Sequence, residues 1–196
     1  MDYQKTLEEI FYDNIGTKES VLEHLGAHIV QAAQMLSEAL LAERKILLCG
    51  EGLARLDAQR FASQLVNGFD MERSSFPALV LGEGIPSIAE TLTTNNNPTD
   101  IFIKQLETLA ESGDLLVVIR SNSSSSRLSQ TIKFALNKDL SVLVLDGTSA
   151  STPEVTTDDK CLHLSVASNK VARIQETHVL IINLLCYLVE KEIFGI

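Results

Sequence analysis

Apolar positions recur along the chain with two periods, and the changes of period mark its elements. Over 2–43 the residues Val21, Leu25, His28, Ile29, Ala32, Leu36, Leu40 and Leu41 recur at helical spacing, and Gly16 with Thr17 predicts a break into two helices. Residues 45–49 (KILLC) form a short apolar run closed by Gly50, Glu51 and Gly52, the pattern of a buried strand and a tight turn. A helical stretch carrying Leu56, Gln59, Arg60, Ser63 and Val66 follows. Residues 77–81 (PALVL), 115–119 (LLVVI), 140–145 (LSVLVL) and 161–165 (CLHLS) read as four further strands. Between them, 86–111 holds two helical pieces separated at 95–98 (NNNP), 127–138 reads as helix, and 148–159 reads as a polar loop. A helix over 168–192, roughly 37 Å long at 1.5 Å per residue, ends the pattern.

Strands alternating with helices predict right-handed crossovers and a parallel sheet covered on both faces. The runs 47–49, 115–119 and 142–145 show little polar alternation, as strands buried on both sides do. The expected fold class is α/β: a three-layer α/β/α arrangement with a five-stranded parallel sheet and extra N-terminal helices. No repeat or linker divides the 196 residues, so one domain over 1–196 is expected, with 1–43 as the added helices and 44–196 as the core.

Composition adds limits. The chain is 45% hydrophobic but 5% aromatic, which points to a core of Leu, Ile, Val and Ala. No apolar run approaches the roughly 20 residues that span a bilayer. Asp2, Glu8, Glu9 and Asp13 do not suit a signal peptide, so a cytoplasmic protein without membrane association is expected. Cys49, Cys161 and Cys186 are odd in number and lie in apolar contexts, as buried thiols of a reducing compartment do. A net charge of −10 argues against direct nucleic-acid binding and leaves room for a basic protein partner.

Ligands of such sheets bind at the carboxyl ends of the strands. Two loops qualify, 50–54 (GEGLA) and 120–126 (RSNSSSS). Serine hydroxyls with free helix N–H groups suit a phosphate, while a serine-rich loop is also an ordinary connector with a helix N-cap. No dinucleotide or Walker A glycine pattern is present. His24 and His28 share a helix face at i, i+4 spacing, but no third metal ligand is evident. His163 reads as a strand residue and His178 as a packing or interface residue. No Ser-His-Asp or Cys-His arrangement follows from order and spacing.

The run GEGLARLDAQRFASQ (50–64) resembles the sugar isomerase (SIS) domain of phosphoheptose isomerases, which reads Gly-Asn-Gly-Gly-Ser and then Asp-Ala-x-His-Phe-Ala. RIQETH (173–178), followed by Asn183, Leu185 and Cys186, is similar to the family's C-terminal helix, and IFIKQ (101–105) with GDLL (113–116) also fits. The resemblance covers nearly the whole chain and is closest to a branch of proteins associating with the replication initiator DnaA.

What the resemblance implies is a zinc and acid–base set of His and Glu at i, i+4, then Gln and His at i, i+8. Here those positions hold Arg60 and Gln64, then Gln175 and Asn183, so Gln175 alone is kept. Arginine neither deprotonates nor ligates zinc, and the Gln64 and Asn183 amides have no proton to exchange near neutral pH. An Asn-Asp pair of the family falls at Thr94 and Asn95, losing a carboxylate. Glu51 would repel a phosphorylated sugar unless it points away. Gly52, Ser121, Ser123, Ser124 and Ser125 remain as candidate binders of the phosphate and sugar, with Arg120 adding positive charge. Arg60 is expected to pair with Glu51 or Asp57.

The expectation is therefore a protein without isomerase chemistry, cofactor or metal. The resemblance implies a homotetramer whose pockets lie between subunits. The broad apolar arc of Leu180, Ile181, Leu184, Leu185, Leu188 and Val189 suits deep burial or such an interface. Ile193 and Phe194 are similar to an apolar pair that contacts DnaA in that branch, and Phe194 is equally readable as a packing plug. Phosphoheptose isomerisation and non-catalytic sensing of a sugar phosphate are the competing expectations.

Overall fold

The computed structural model describes residues 2–83, 101–121, 125–149 and 154–195. Helix α1 (Tyr3–Leu41) is followed by β1 (Ile46–Gly50), α2 (Ala54–Asn67), β2 (Ala78–Val80), α3 (Ile101–Leu109) and β3 (Leu115–Ile119). Next come α4 (Ser126–Asn137), β4 (Ser141–Thr148), β5 (Glu154–Asp158), β6 (Cys161–Ala167) and α5 (Val171–Phe194). The sheet order is β2-β1-β3-β4-β6-β5. Five strands run parallel, as expected, and each expected strand is found where the pattern put it.

Two elements differ from expectation. The polar segment 148–159 contains β5, which pairs antiparallel with β6 from Glu154 opposite Ser165 to Asp158 opposite Cys161. Its residues EVTTD have the β-branched side chains that suit a strand, but no apolar run to announce one. The two residues Asp159 and Lys160 turn it back as a hairpin onto the sheet edge.

Helix α1 is also continuous across Gly16 and Thr17. A mid-helix glycine costs about 0.5–1 kcal/mol against alanine. Tertiary contacts just before it offset this: Lys170 pairs with Asp13 at 3.0 Å, and the buried Arg173 donates to the Ile10 carbonyl at 3.0 Å. Thr17 Oγ1 donates to the Asp13 carbonyl at 2.8 Å, so its hydroxyl is satisfied within the helix.

Period-two alternation divides the strand side chains between two cores. Ile46, Leu48, Val117, Leu143 and Leu164 face α1, α2 and α5. Leu47, Cys49, Val118, Val142 and Val144 face α3 and α4. Each such side chain, fully removed from water, contributes about 1.5–3 kcal/mol. All three cysteines are free and buried. Among the described residues no helix is long and apolar enough to cross a membrane.

The topology also locates a crevice. From β1 the chain moves to β2 on one side, then returns to β3 on the other. Loops leaving the carboxyl ends of β1 and β3 therefore diverge, and the gap between them is where open α/β sheets bind ligands.

Candidate functional site

Glycines shape the β1 side of the crevice. A Cβ on Gly50 would stand 2.6 Å from the Ala54 carbonyl oxygen, so only glycine permits this turn into α2. Gly52 has φ +59°, in the left-handed region. Across the gap, Ser125 caps α4, its Oγ accepting from Leu128 N at 3.2 Å.

A cavity of about 290 Å³ opens here, lined by Gly52, Arg55, Leu81, Phe102 and Arg127 among others. Its charges are matched within the chain. Arg55 makes a two-point contact with Glu83, with Nη2 to Oε2 at 2.9 Å, and Gln59 Nε2 donates to Glu83 Oε1 at 3.0 Å. The Arg55 hydrogen bond holds the Glu83 carboxyl below its ordinary pKa. Glu51 accepts from Ser125 Oγ at 2.7 Å and stands 3.5 Å from Arg127 Nε. The Glu51 carboxylate thus turns toward α4, not toward Arg60.

The expected Arg60 pairing takes a weaker form. Arg60 is exposed on α2 and reaches Asp57 through its field. Asp57 is buried, and desolvation pushes its pKa up while Arg60 opposes the rise.

The positions corresponding to the isomerase set are partly assembled. Gln64 Nε2 donates to Asn183 Oδ1 at 2.9 Å, joining α2 to α5, and Cys186 Sγ donates to Gln64 Oε1 at 3.4 Å. Burial pushes the Cys186 thiol up to about 12, with the Glu190 charge adding to the rise, so it stays a donor and not a nucleophile. Gln175 lies half-buried, two turns earlier on α5, outside that hydrogen bond. Asn95, Ser123 and Ser124 lie outside the described residues. Ser121 lines a second, more polar cavity of about 350 Å³ with Thr148, Ser168 and Asn169.

Arg120 does not add free charge to the serine loop as expected. It is buried and pairs with Asp146, Nη2 to Oδ2 at 3.0 Å. Asp146, near the carboxyl end of β4, collects further partners. Ser165 Oγ donates to its Oδ1, His163 Nδ1 stands 3.7 Å from Oδ2, and His178 Nε2 donates to its carbonyl at 3.1 Å. Burial alone would raise the Asp146 carboxyl, but the nearby His163 ring and hydrogen bonds from Ser165 and Arg120 hold it below its ordinary value. The Asp146 carboxylate 3.7 Å away pushes His163 up to about 9, whereas burial drives His178 down to about 4. The packing role expected of His178 and the satisfied strand role of His163 both fit these contacts.

His24 is exposed and bonds to the Ser20 carbonyl at 2.8 Å. Among the described residues no three His, Cys, Asp or Glu side chains gather to hold a metal. At the C-terminus Ile193 packs partly into the core. Phe194 stacks on Phe76 at 6.1 Å between centroids yet remains 42% exposed, so it is both plug and surface.

Sequence reasoning missed Glu83, Arg55 and Arg127 as parts of the crevice. Arg55 and Gln59, four apart on α2, share a face and meet one acceptor just after β2; that spacing was the available signal.

A doubly wound α/β sheet with a glycine turn and a helix-capping serine at its switch point defines the class of open α/β proteins that bind ligands at the carboxyl ends of their strands. A model of the SIS domain matches residues 11–147. The chain belongs to the SIS domain family. It is 33% identical to a phosphoheptose isomerase of Halorhodospira halophila over 198 aligned residues, covering 100% of this chain and 98% of the relative. It is 36% identical to one from Coxiella burnetii over 185 residues, covering 93% and 92%. Among solved structures, a phosphoheptose isomerase from Francisella tularensis superposes with TM-score 0.86 at 28% identity, covering 97% of this chain and 100% of that one.

Proposed function

We propose that this chain is a non-catalytic member of its family that acts by binding rather than by isomerising a sugar phosphate. The observation carrying this reading is the Gln64–Asn183 hydrogen bond. Two amides occupy the helix-to-helix junction where sugar isomerisation needs an acid and a base, and neither titrates near neutral pH. They satisfy each other, which favours a structural strut over a proton relay.

A second reading is phosphoheptose isomerisation itself, favoured by the full-length relatives that carry that name. Asp57 would then be a candidate base, a buried carboxyl on α2 whose pKa burial raises. The direct test is turnover of sedoheptulose 7-phosphate. We expect none above the uncatalysed rate; turnover that disappears in Gln175→Ala or Asp57→Asn would sink the binding reading and establish the enzyme.

The finer proposal is that the partner is a DnaA-type initiator met through the α5 end, and that the chain self-associates, as a tetramer, to present several such sites at raised effective concentration. The exposed edge of the Phe194 ring supports a contact there. An apolar groove of about 380 Å³ between α1 and α5, lined by Leu22, Val30, Leu180 and Leu184 among others, supports self-association. In a pull-down with purified initiator, Phe194→Ala is expected to lose binding while keeping the wild-type oligomer. Equal capture by wild type and variant removes Phe194 from the contact.

A further inference from the structure

We infer that Cys161 is a modification site, a thiol set beside a charged imidazole to react with hydrogen peroxide and with carbon electrophiles. It sits at the amino end of β6, away from the crevice, and is independent of what the crevice binds. Period-two alternation sends Leu162, Leu164 and Val166 to the core facing α1, α2 and α5, and Cys161 to the core facing α3 and α4. His163 and Ser165 follow Cys161 along that second face. Asp146 reaches it from β4, accepting from Ser165 Oγ and standing 3.7 Å from His163 Nδ1. Two strands thus assemble a cysteine, a histidine and an aspartate that spacing along the chain did not announce.

The array carries a positive surplus. The Asp146 carboxylate is balanced by Arg120, 3.0 Å away, so a protonated His163 adds a cation that nothing within the array cancels. The Asp146 carboxylate and the Cys161 side chain both favour that protonated ring, which is pushed up to about 9. Thiols that react selectively sit next to such a cation and within reach of solvent. His163 supplies the approach, since its side chain is 24% exposed. Cys161 itself is 6% exposed, against 0% for Cys49 and 1% for Cys186. Burial pushes the Cys186 thiol up to about 12, and the Glu190 carboxylate adds to the rise, so Cys186 does not compete. With peroxide, the Cys161 thiol gives its proton to solvent and the sulfur attacks one oxygen, forming an S–O bond as the O–O bond breaks. Sulfur is oxidised to the sulfenic acid and the peroxide is reduced. The departing hydroxide takes the His163 proton and leaves as water, and the ring recovers a proton from solvent.

Labelling of the folded full chain, read cysteine by cysteine through peptide mapping, tests this. Iodoacetamide at neutral pH is expected to alkylate Cys161 at least about tenfold faster than Cys49 or Cys186. With hydrogen peroxide and dimedone, a sulfenic-acid trap, the adduct is expected on Cys161 and absent from Cys161→Ser. His163→Gln removes the cation and is expected to slow both reactions at Cys161 about tenfold. Labelling of the three cysteines at one rate overturns the inference. So does unchanged or faster labelling of Cys161 in a His163→Gln variant that melts as wild type does, because the ring would then be a shield. Should His163→Gln melt early, His163→Lys restores a cation: labelling of Cys161 near the wild-type rate supports the inference, and labelling about tenfold slower overturns it.

Discussion

Asp146 shows how one buried carboxylate sets two histidines apart. Its side chain holds His163 protonated, and its carbonyl accepts from a neutral His178, whose burial outweighs the opposing pull of the Asp146 charge. The two residues push stability in opposite directions with pH. His178 falls from 6.5 to about 4 on folding, so the unfolded chain binds the proton first, and stability is lost as pH drops from 6.5 toward 4. At about 1.4 kcal/mol per unit of pKa, that loss is on the order of 3 kcal/mol. His163 rises from 6.5 to about 9, so its contribution is full below 6.5 and fades as pH climbs toward 9. Urea unfolding at stepped pH should therefore peak near neutrality. His178→Gln should flatten the acid limb and leave the alkaline one, and an unchanged acid limb would refute the assignment.

At the scale of elements, α5 organises the segment after α2 through one ion pair. Glu190 accepts from Phe69 N at 2.8 Å, Asp70 N at 2.9 Å and Arg73 Nε at 2.8 Å. Arg73 in turn donates to the Leu65 and Ser74 carbonyls at 2.9 Å and lies 3.7 Å above the Phe76 ring, which carries Phe194. Both charges are buried and every strong donor has an acceptor, so removing one partner strands the other. Glu190→Ala should cost about 3–5 kcal/mol, whereas Glu190→Leu with Arg73→Met should cost markedly less. Denaturant melts of the single and double variants decide it, and equal losses would mean that the pair itself is not what matters.

For the whole molecule, the apolar surface is concentrated on α1. Tyr3, Leu7, Phe11, Tyr12 and Leu22 are all exposed, with Leu22 at 76%. A stripe of this kind is unusual on a monomer, since large contiguous apolar patches mark interaction sites. Sedimentation is expected to give a multiple of the chain mass, reduced by Leu22→Glu. A monomeric wild type would leave the proposed self-association without support.

The scales differ in how far they were legible. Five strands could be read because each is a short apolar run between turn residues, such as LLVVI after Gly113 and Asp114. Strand β5 could not, because its sequence is polar and its antiparallel pairing with β6 follows a two-residue turn. Gly16 looked like a helix end because the sequence shows the local cost and hides the Asp13 and Arg173 contacts that offset it.

Residue chemistry by itself determined what three positions of the family resemblance cannot do. Arg60, Gln64 and Asn183 cannot shuttle protons in any fold, since the limit lies in the side chains. Tertiary structure alone decided what those and neighbouring residues do instead. Glu51 read as a repulsive charge in an open pocket, and Arg120 as a free cation beside the serines. Folding turned each toward a partner 74 and 26 residues away, Ser125 and Asp146. Electrostatic pairing depends on distance in space, which spacing along a chain does not carry.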